Sequence, residues 1–121
     1  MTTLLNKAKN ILATDETILF YAACSLDIFI YRSVARPGLL ILTNKRLFFY
    51  GPDVSKNPIF EEYSFAKISN LKEQKRLFNN QIIFMYDNEW KKIKHIQTND
   101  VSSLIQKIHE QLYMISPLFL T

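Results

Sequence analysis

Leu39-Leu40-Ile41-Leu42-Thr43-Asn44-Lys45-Arg46-Leu47-Phe48-Phe49-Tyr50 is the stretch on which the fold turns. Two short apolar runs flank a polar break. Their aliphatic and aromatic content favours strands over helices. The break has room only for a tight reversal, and asparagine tolerates left-handed backbone, so Asn44-Lys45 can close a hairpin. Residues 39–42 are apolar on both sides, whereas a strand with one face in water would alternate. Something therefore covers the outer side: the chain's own ends or a second copy of it.

Upstream, Arg36-Pro37-Gly38 reads as a turn, because proline restricts its neighbour and glycine permits a reversal. Before it, residues 17–23 form a strand, and 25–36 either extend it or cross over. Leu4, Leu5, Ala8, Ile11 and Leu12 recur at helical spacing, which predicts an amphipathic helix over 2–13 with Thr2 or Thr3 as its cap. Its polar face carries two lysines, so packing on the domain is favoured over membrane insertion.

Downstream, Gly51-Pro52-Asp53 ends the second strand of the hairpin, and a polar loop follows through Pro58. Strands are expected over 59–65, 67–76, 81–86 and 90–96. Leu77-Phe78-Asn79-Asn80 and Asp87-Asn88 supply turns, and Trp90, Ile93 and Ile96 break alternation, which predicts a bulge or an early end. Thr98 or Asn99 caps a helix to about 113, with Val101, Leu104, Ile105, Ile108 and Leu112 as its apolar stripe. Ser116-Pro117 stops it, and Leu118-Phe119-Leu120 is an apolar tail. The sequence thus predicts a mainly β domain: a short helix (1–14), about seven antiparallel strands closed by a helix (15–113), and a tail (114–121).

At this point the chain resembles the bacterial pleckstrin-homology-like (PH-like) domains. The residues that carry the resemblance are Arg36-Pro37-Gly38, the run from Leu40 through Thr43-Asn44-Lys45-Arg46 to Phe49, and Tyr63-Ser64-Phe65-Ala66-Lys67-Ile68-Ser69. A basic strand, an Asn-Asn turn, two closing strands and the terminal helix follow in the same order. The resemblance covers roughly residues 15–112. It implies a strongly bent seven-stranded barrel with the C-terminal helix over one end, and it implies no catalysis. Relatives of this fold that bind inositol phosphates place several Lys or Arg after the first strand; here 26–36 holds only Arg32 and Arg36, beside Asp27.

Composition narrows the function. One domain of 121 residues carries sixteen aromatics but two glycines and one cysteine. Two isolated glycines make no phosphate-cradling loop. A single Cys24 makes neither an internal disulfide nor a multi-thiolate metal site, and its apolar setting predicts a buried thiol. His95 and His109 lack partners at ligand spacing. Glu61-Glu62 on a strand face opposite ways, and Asp15-Glu16 falls in a loop, so all four read as solvated charge. No cofactor and no enzyme activity are expected. The absence of a secretory signal or long apolar run predicts a cytoplasmic protein. Net charge is +4, concentrated after residue 66, where eight Lys or Arg face five Asp or Glu. That excess is too mild and diluted for a nucleic-acid partner.

Two surfaces are expected. Phe48, Tyr50, Phe84, Tyr86 and Trp90 form a candidate protein interface, with self-association as one outcome. Lys72, Lys75, Arg76, Lys92 and Lys94 form a candidate anionic-ligand surface, with a membrane as the alternative partner.

Overall fold

The computed structural model describes residues 2–29, 33–54, 57–75, 80–97 and 101–115. The order of elements is α1 (Thr2–Lys9), β1 (Ile18–Phe29), β2 (Ser33–Thr43), β3 (Leu47–Val54), β4 (Asn57–Tyr63), a 3-10 turn (Phe65–Lys67), β5 (Ile68–Lys75), β6 (Asn80–Tyr86), β7 (Glu89–Lys94) and α2 (Val101–Ile115). The strands form one antiparallel sheet in the order β4-β3-β2-β1-β7-β6-β5. Long β1 joins its halves: it pairs with β2 along its length and with β7 only at Ser25 and Leu26.

The sheet curls on itself, because inward residues of every strand meet in one core. Leu26, Leu40, Leu47, Phe49, Tyr63, Phe84 and Ile93 are buried there together. Val101, Leu104 and Ile108 on α2 join them, so the helix stripe expected from its spacing seals one end. A second cluster lies outside the sheet, where Ala8 of α1 is buried with Leu39, Ile41, Phe48 and Tyr50. The question posed by residues 39–42 is thereby answered within one chain, since α1 covers their outer side.

Several local expectations are corrected. Arg36-Pro37-Gly38 is no turn: the three residues lie inside β2 opposite Leu26, Ser25 and Cys24. Proline is tolerated there because β2 pairs with β3 only from Leu39 onward. Gly38 serves close approach, since a Cβ would sit 2.5 Å from the Phe49 ring and 2.6 Å from the Tyr50 carbonyl oxygen. Gly51-Pro52-Asp53 is a bulge within β3, not its end, and Asn57 and Pro58 already belong to β4. Residues 25–29 continue β1 as a strand. The N-terminal helix stops at Lys9 instead of residue 13: the Asn10, Ile11 and Leu12 N–H groups turn to carbonyls three residues back, and the Ala13 N–H goes to the Glu16 carboxylate at 3.0 Å.

Other expectations hold. Asp87 and Asn88 have φ of 54° and 68°, the left-handed pair that a two-residue hairpin needs. β7 ends early, at Lys94, where His95 turns left-handed with φ of 53°. The turn over 77–79, the caps Thr98 and Asn99, and the tail 116–121 lie outside the described residues.

Candidate functional site

Several ionisable groups of the chain are buried or tied into internal hydrogen bonds. Glu16, expected in water, is buried. Its carboxylate receives the Thr43 hydroxyl at 2.6 Å and the Arg46 Nε at 2.9 Å. Burial pushes the Glu16 carboxyl upward, but the hydrogen bonds from Arg46 and Thr43 outweigh it and leave the group below its ordinary value. Arg46 also bonds the Glu62 carboxylate and donates to the Ile11 carbonyl at 3.0 Å. Its guanidinium lies 4.9 Å from the centre of the Phe48 ring.

The Thr43-Asn44-Lys45-Arg46 reversal is therefore a knot, not a plain turn. Thr43 Oγ1 accepts the N–H groups of Lys45 and Arg46, each at 3.0 Å. Asn44 keeps an ordinary backbone, contrary to the expected left-handed role. It is useful for its amide: Oδ1 accepts the Thr17 N–H at 2.7 Å and Nδ2 donates to the Asp15 carbonyl at 3.2 Å. Lys45 pairs with Asp15 at 2.9 Å. The pairing of Asp15-Glu16 with Lys45-Arg46 was open to inspection in the sequence only as two short charged doublets far apart.

Cys24 is buried and its thiol is pushed up to about 12 by desolvation, as its apolar setting predicted. Tyr63 is buried too, and its hydroxyl donates to Glu61 at 2.9 Å. His95 and His109 are exposed. Among the described residues, no group of three or more His, Cys, Asp or Glu could hold a metal ion.

The two expected surfaces are redistributed by the fold. Phe48 and Tyr50 are buried under α1, and Phe84 is buried in the main core, so these three cannot present themselves to a partner. Their apolarity faces inward on both sides of the sheet, which the sequence could not assign. Tyr86 is half-buried, edge-on to Tyr63 with ring centres 5.3 Å apart, and its hydroxyl accepts the Ser64 N–H at 3.1 Å. Only Trp90 remains prominent, at 51% exposed.

Of the lysines, Lys72 and Lys92 are exposed. Lys94 is half-buried and neutralised by Asp27 at 3.0 Å. The side chain of Lys75 and the whole of Arg76 lie outside the described residues. Lys91 belongs to the opposite face of β7, where it meets Glu61 and Glu89.

Strand register then brings members of both lists together. Lys72, Ile83 and Lys92 stand opposite one another across β5, β6 and β7, and Ser69, Met85 and Trp90 form the adjacent row. All six share the outer face, since Ile82, Phe84 and Ile93 point inward. Lys72 Nζ lies 5.8 Å from the centre of the Trp90 ring, a cation–π distance. Ile83 is buried between the two lysines, whose aliphatic stems can screen it. A separate open cleft of about 290 Å³ lies where α1, β1 and β2 meet, lined by Leu4, Ala23, Pro37, Gly38, His95 and Gln97 among others.

Comparison with known proteins agrees with this architecture. A family described as bacterial PH domain matches residues 12–110. None of the curated proteins compared with the chain matches it. Among solved structures, the C-terminal domain of an unknown protein from Leishmania infantum is similar at a TM-score of 0.64 and 16% identity, over 93% of each chain. A DUF1696 family protein with a pleckstrin-homology domain from Shewanella loihica is similar at 0.55 and 13%, over 88% of this chain and 94% of that one. The hSac2 domain from the human phosphoinositide phosphatase Sac2 is similar at 0.55 and 17%, over 98% and 82%. With its seven-stranded sheet, its terminal helix and a match over most of its length, the chain belongs to the bacterial PH domain family.

Proposed function

We propose that the chain is a non-catalytic interaction module that docks a protein partner on the outer face of β5, β6 and β7. The observation that carries this reading is the placement of Trp90, the chain's single tryptophan, half-exposed beside Met85 and Lys72 on the outer face of the sheet. Tryptophan is the residue most often found as an energetic anchor of interfaces. The same reading makes catalysis unneeded: Glu16, Arg46, Cys24 and Tyr63, the groups with clear internal partners or deep burial, all serve packing.

A second copy of the chain is a less favoured partner, because the apolar outer side of residues 39–42 that suggested self-association is covered by α1. A cytoplasmic setting belongs to the proposal. Among the described residues no helix is long and apolar enough to cross a membrane.

The test is parallel affinity capture with the wild-type chain and Trp90→Ala from the native cytoplasm, with light scattering across concentration. The expected result is a protein retained by the wild type and lost with the variant, and a monomer by scattering. The same proteins on both baits would remove Trp90 from the proposal. A dimer that Trp90→Ala dissociates would make the second copy the partner.

A further inference from the structure

The outer face of β5–β7 carries two cations without an ion-pair partner among the described residues, Lys72 and Lys92. They stand two strands apart, so their Cα atoms are separated by about 10 Å, twice the inter-strand spacing. Between them lies Ile83, with Met85 and Trp90 in the adjacent row of the same face. The nearby acid on β1, Asp27, is already spent on Lys94. Glu73 of β5 accepts from Ser102 on α2, and Glu89 turns to Lys91, so neither neutralises this face.

From this arrangement we infer that the partner docks an acidic protein segment here, with carboxylates that meet Lys72 and Lys92 on either side of an apolar side chain that lies against Trp90 and Met85. The inference rests on the proposed docking role of this face and specifies the partner's chemistry. Charge complementarity chooses acid, because an unpaired lysine pair would repel a basic segment and be left desolvated by a neutral one. It also favours a protein over an anionic bilayer. Juxtamembrane basic patches that hold to lipid gather about four to eight Lys or Arg. Among the described residues this face offers Lys72 and Lys92, with Lys94 already held by Asp27, which falls short of that number.

Trp90 makes the test direct, since it is the chain's single tryptophan and its emission reports occupancy of this face alone. The probes are a synthetic decapeptide alternating glutamate with leucine, the same peptide with lysine for glutamate, and phosphatidylcholine vesicles with 30 mol% phosphatidylserine. The glutamate peptide should shift Trp90 emission saturably, and its affinity should fall at least tenfold as salt rises from low to several hundred millimolar. Lys72→Glu and Lys92→Glu should each weaken it about tenfold or more. Lys107→Glu, the same charge change on exposed α2, should leave it unchanged.

No shift with the glutamate peptide, or equal shifts in the charge-reversed variants, would overturn the inference. So would a saturable shift with vesicles when the peptide gives none. If Trp90-dependent protein capture persists while the glutamate peptide fails, the acidic chemistry is wrong and the docking role stands. If the capture does not depend on Trp90, the docking role itself has failed.

Discussion

At the residue scale, the Glu16–Thr43–Arg46 knot decides how the first third of the chain is held. A buried carboxylate that loses its cation is left uncompensated, and removal of one partner from such a pair costs about 3 kcal/mol or more. Arg46→Ala should therefore destabilise the fold by roughly 3 kcal/mol, read as a lower urea midpoint at pH 7. Glu16 has a folded value below its unfolded one, so its contribution is present above the unfolded pKa and is lost as pH falls through the folded one. Wild type should lose stability on acidification below the ordinary glutamate range, and Glu16→Gln, already weaker at pH 7, should lose less over that window. A parallel acid dependence in both proteins would show that other carboxylates dominate. Cys24 gives a second reading at this scale. With its thiol buried and pushed up to about 12, it should resist a thiol reagent at pH 8 in the folded protein and react fully in denaturant.

At the scale of elements, β2 and β3 approach closely at Gly38, and α1 covers their outer side. Gly38→Ala would drive a methyl into the Phe49 ring and the Tyr50 carbonyl. Overpacking of this kind typically costs about 1–3 kcal/mol, and the upper end applies because one neighbour is backbone. Thermal unfolding would show it, and an unchanged midpoint would mean that β2 and β3 can separate at little cost. α1 is eight residues long, too short to be stable alone, so its helicity depends on Ala8 and its neighbours packing over Leu39, Ile41, Phe48 and Tyr50. Ala8→Glu places a charge in that contact. It should bind a hydrophobic dye and raise light scattering through the uncovered face, while far-UV circular dichroism keeps its strand signal. The sequence signalled α1 by spacing but not where it ends, because residues 10–12 tighten to carbonyls three back and Ala13 is claimed by the Glu16 carboxylate.

At the scale of the whole molecule, one continuous sheet and α2 share a single core, so the strands and the helix should unfold together. Trp90 emission and far-UV circular dichroism should give coincident urea transitions, and separated midpoints would divide the sheet at the narrow β1–β7 joint, where two residue pairs hold its halves. The curl also decides what the surface offers. Phe48, Tyr50 and Phe84 read as interface residues in a linear string because both sides of their strands are apolar. α1 and the curled core use both sides, and of the five expected interface residues Trp90 alone is exposed. Lys72 and Lys92 lie twenty residues apart in the chain, and register alone makes them neighbours across Ile83.

The sequence alone determined the order of strands and helices, the hairpin at Asn44-Lys45, the reversal at Asp87-Asn88, the buried thiol and the stripe of α2. Each was signalled by patterns within a few residues, where alternation, helical period, apolar setting and turn chemistry can be read directly. Only the tertiary structure decided that Pro37 and Gly38 sit inside a strand, that Glu16 is buried against Arg46, and that Trp90 shares a face with two lysines. Those outcomes depend on which strand lies beside which and on what covers each side, and that is set by closing one core around distant segments.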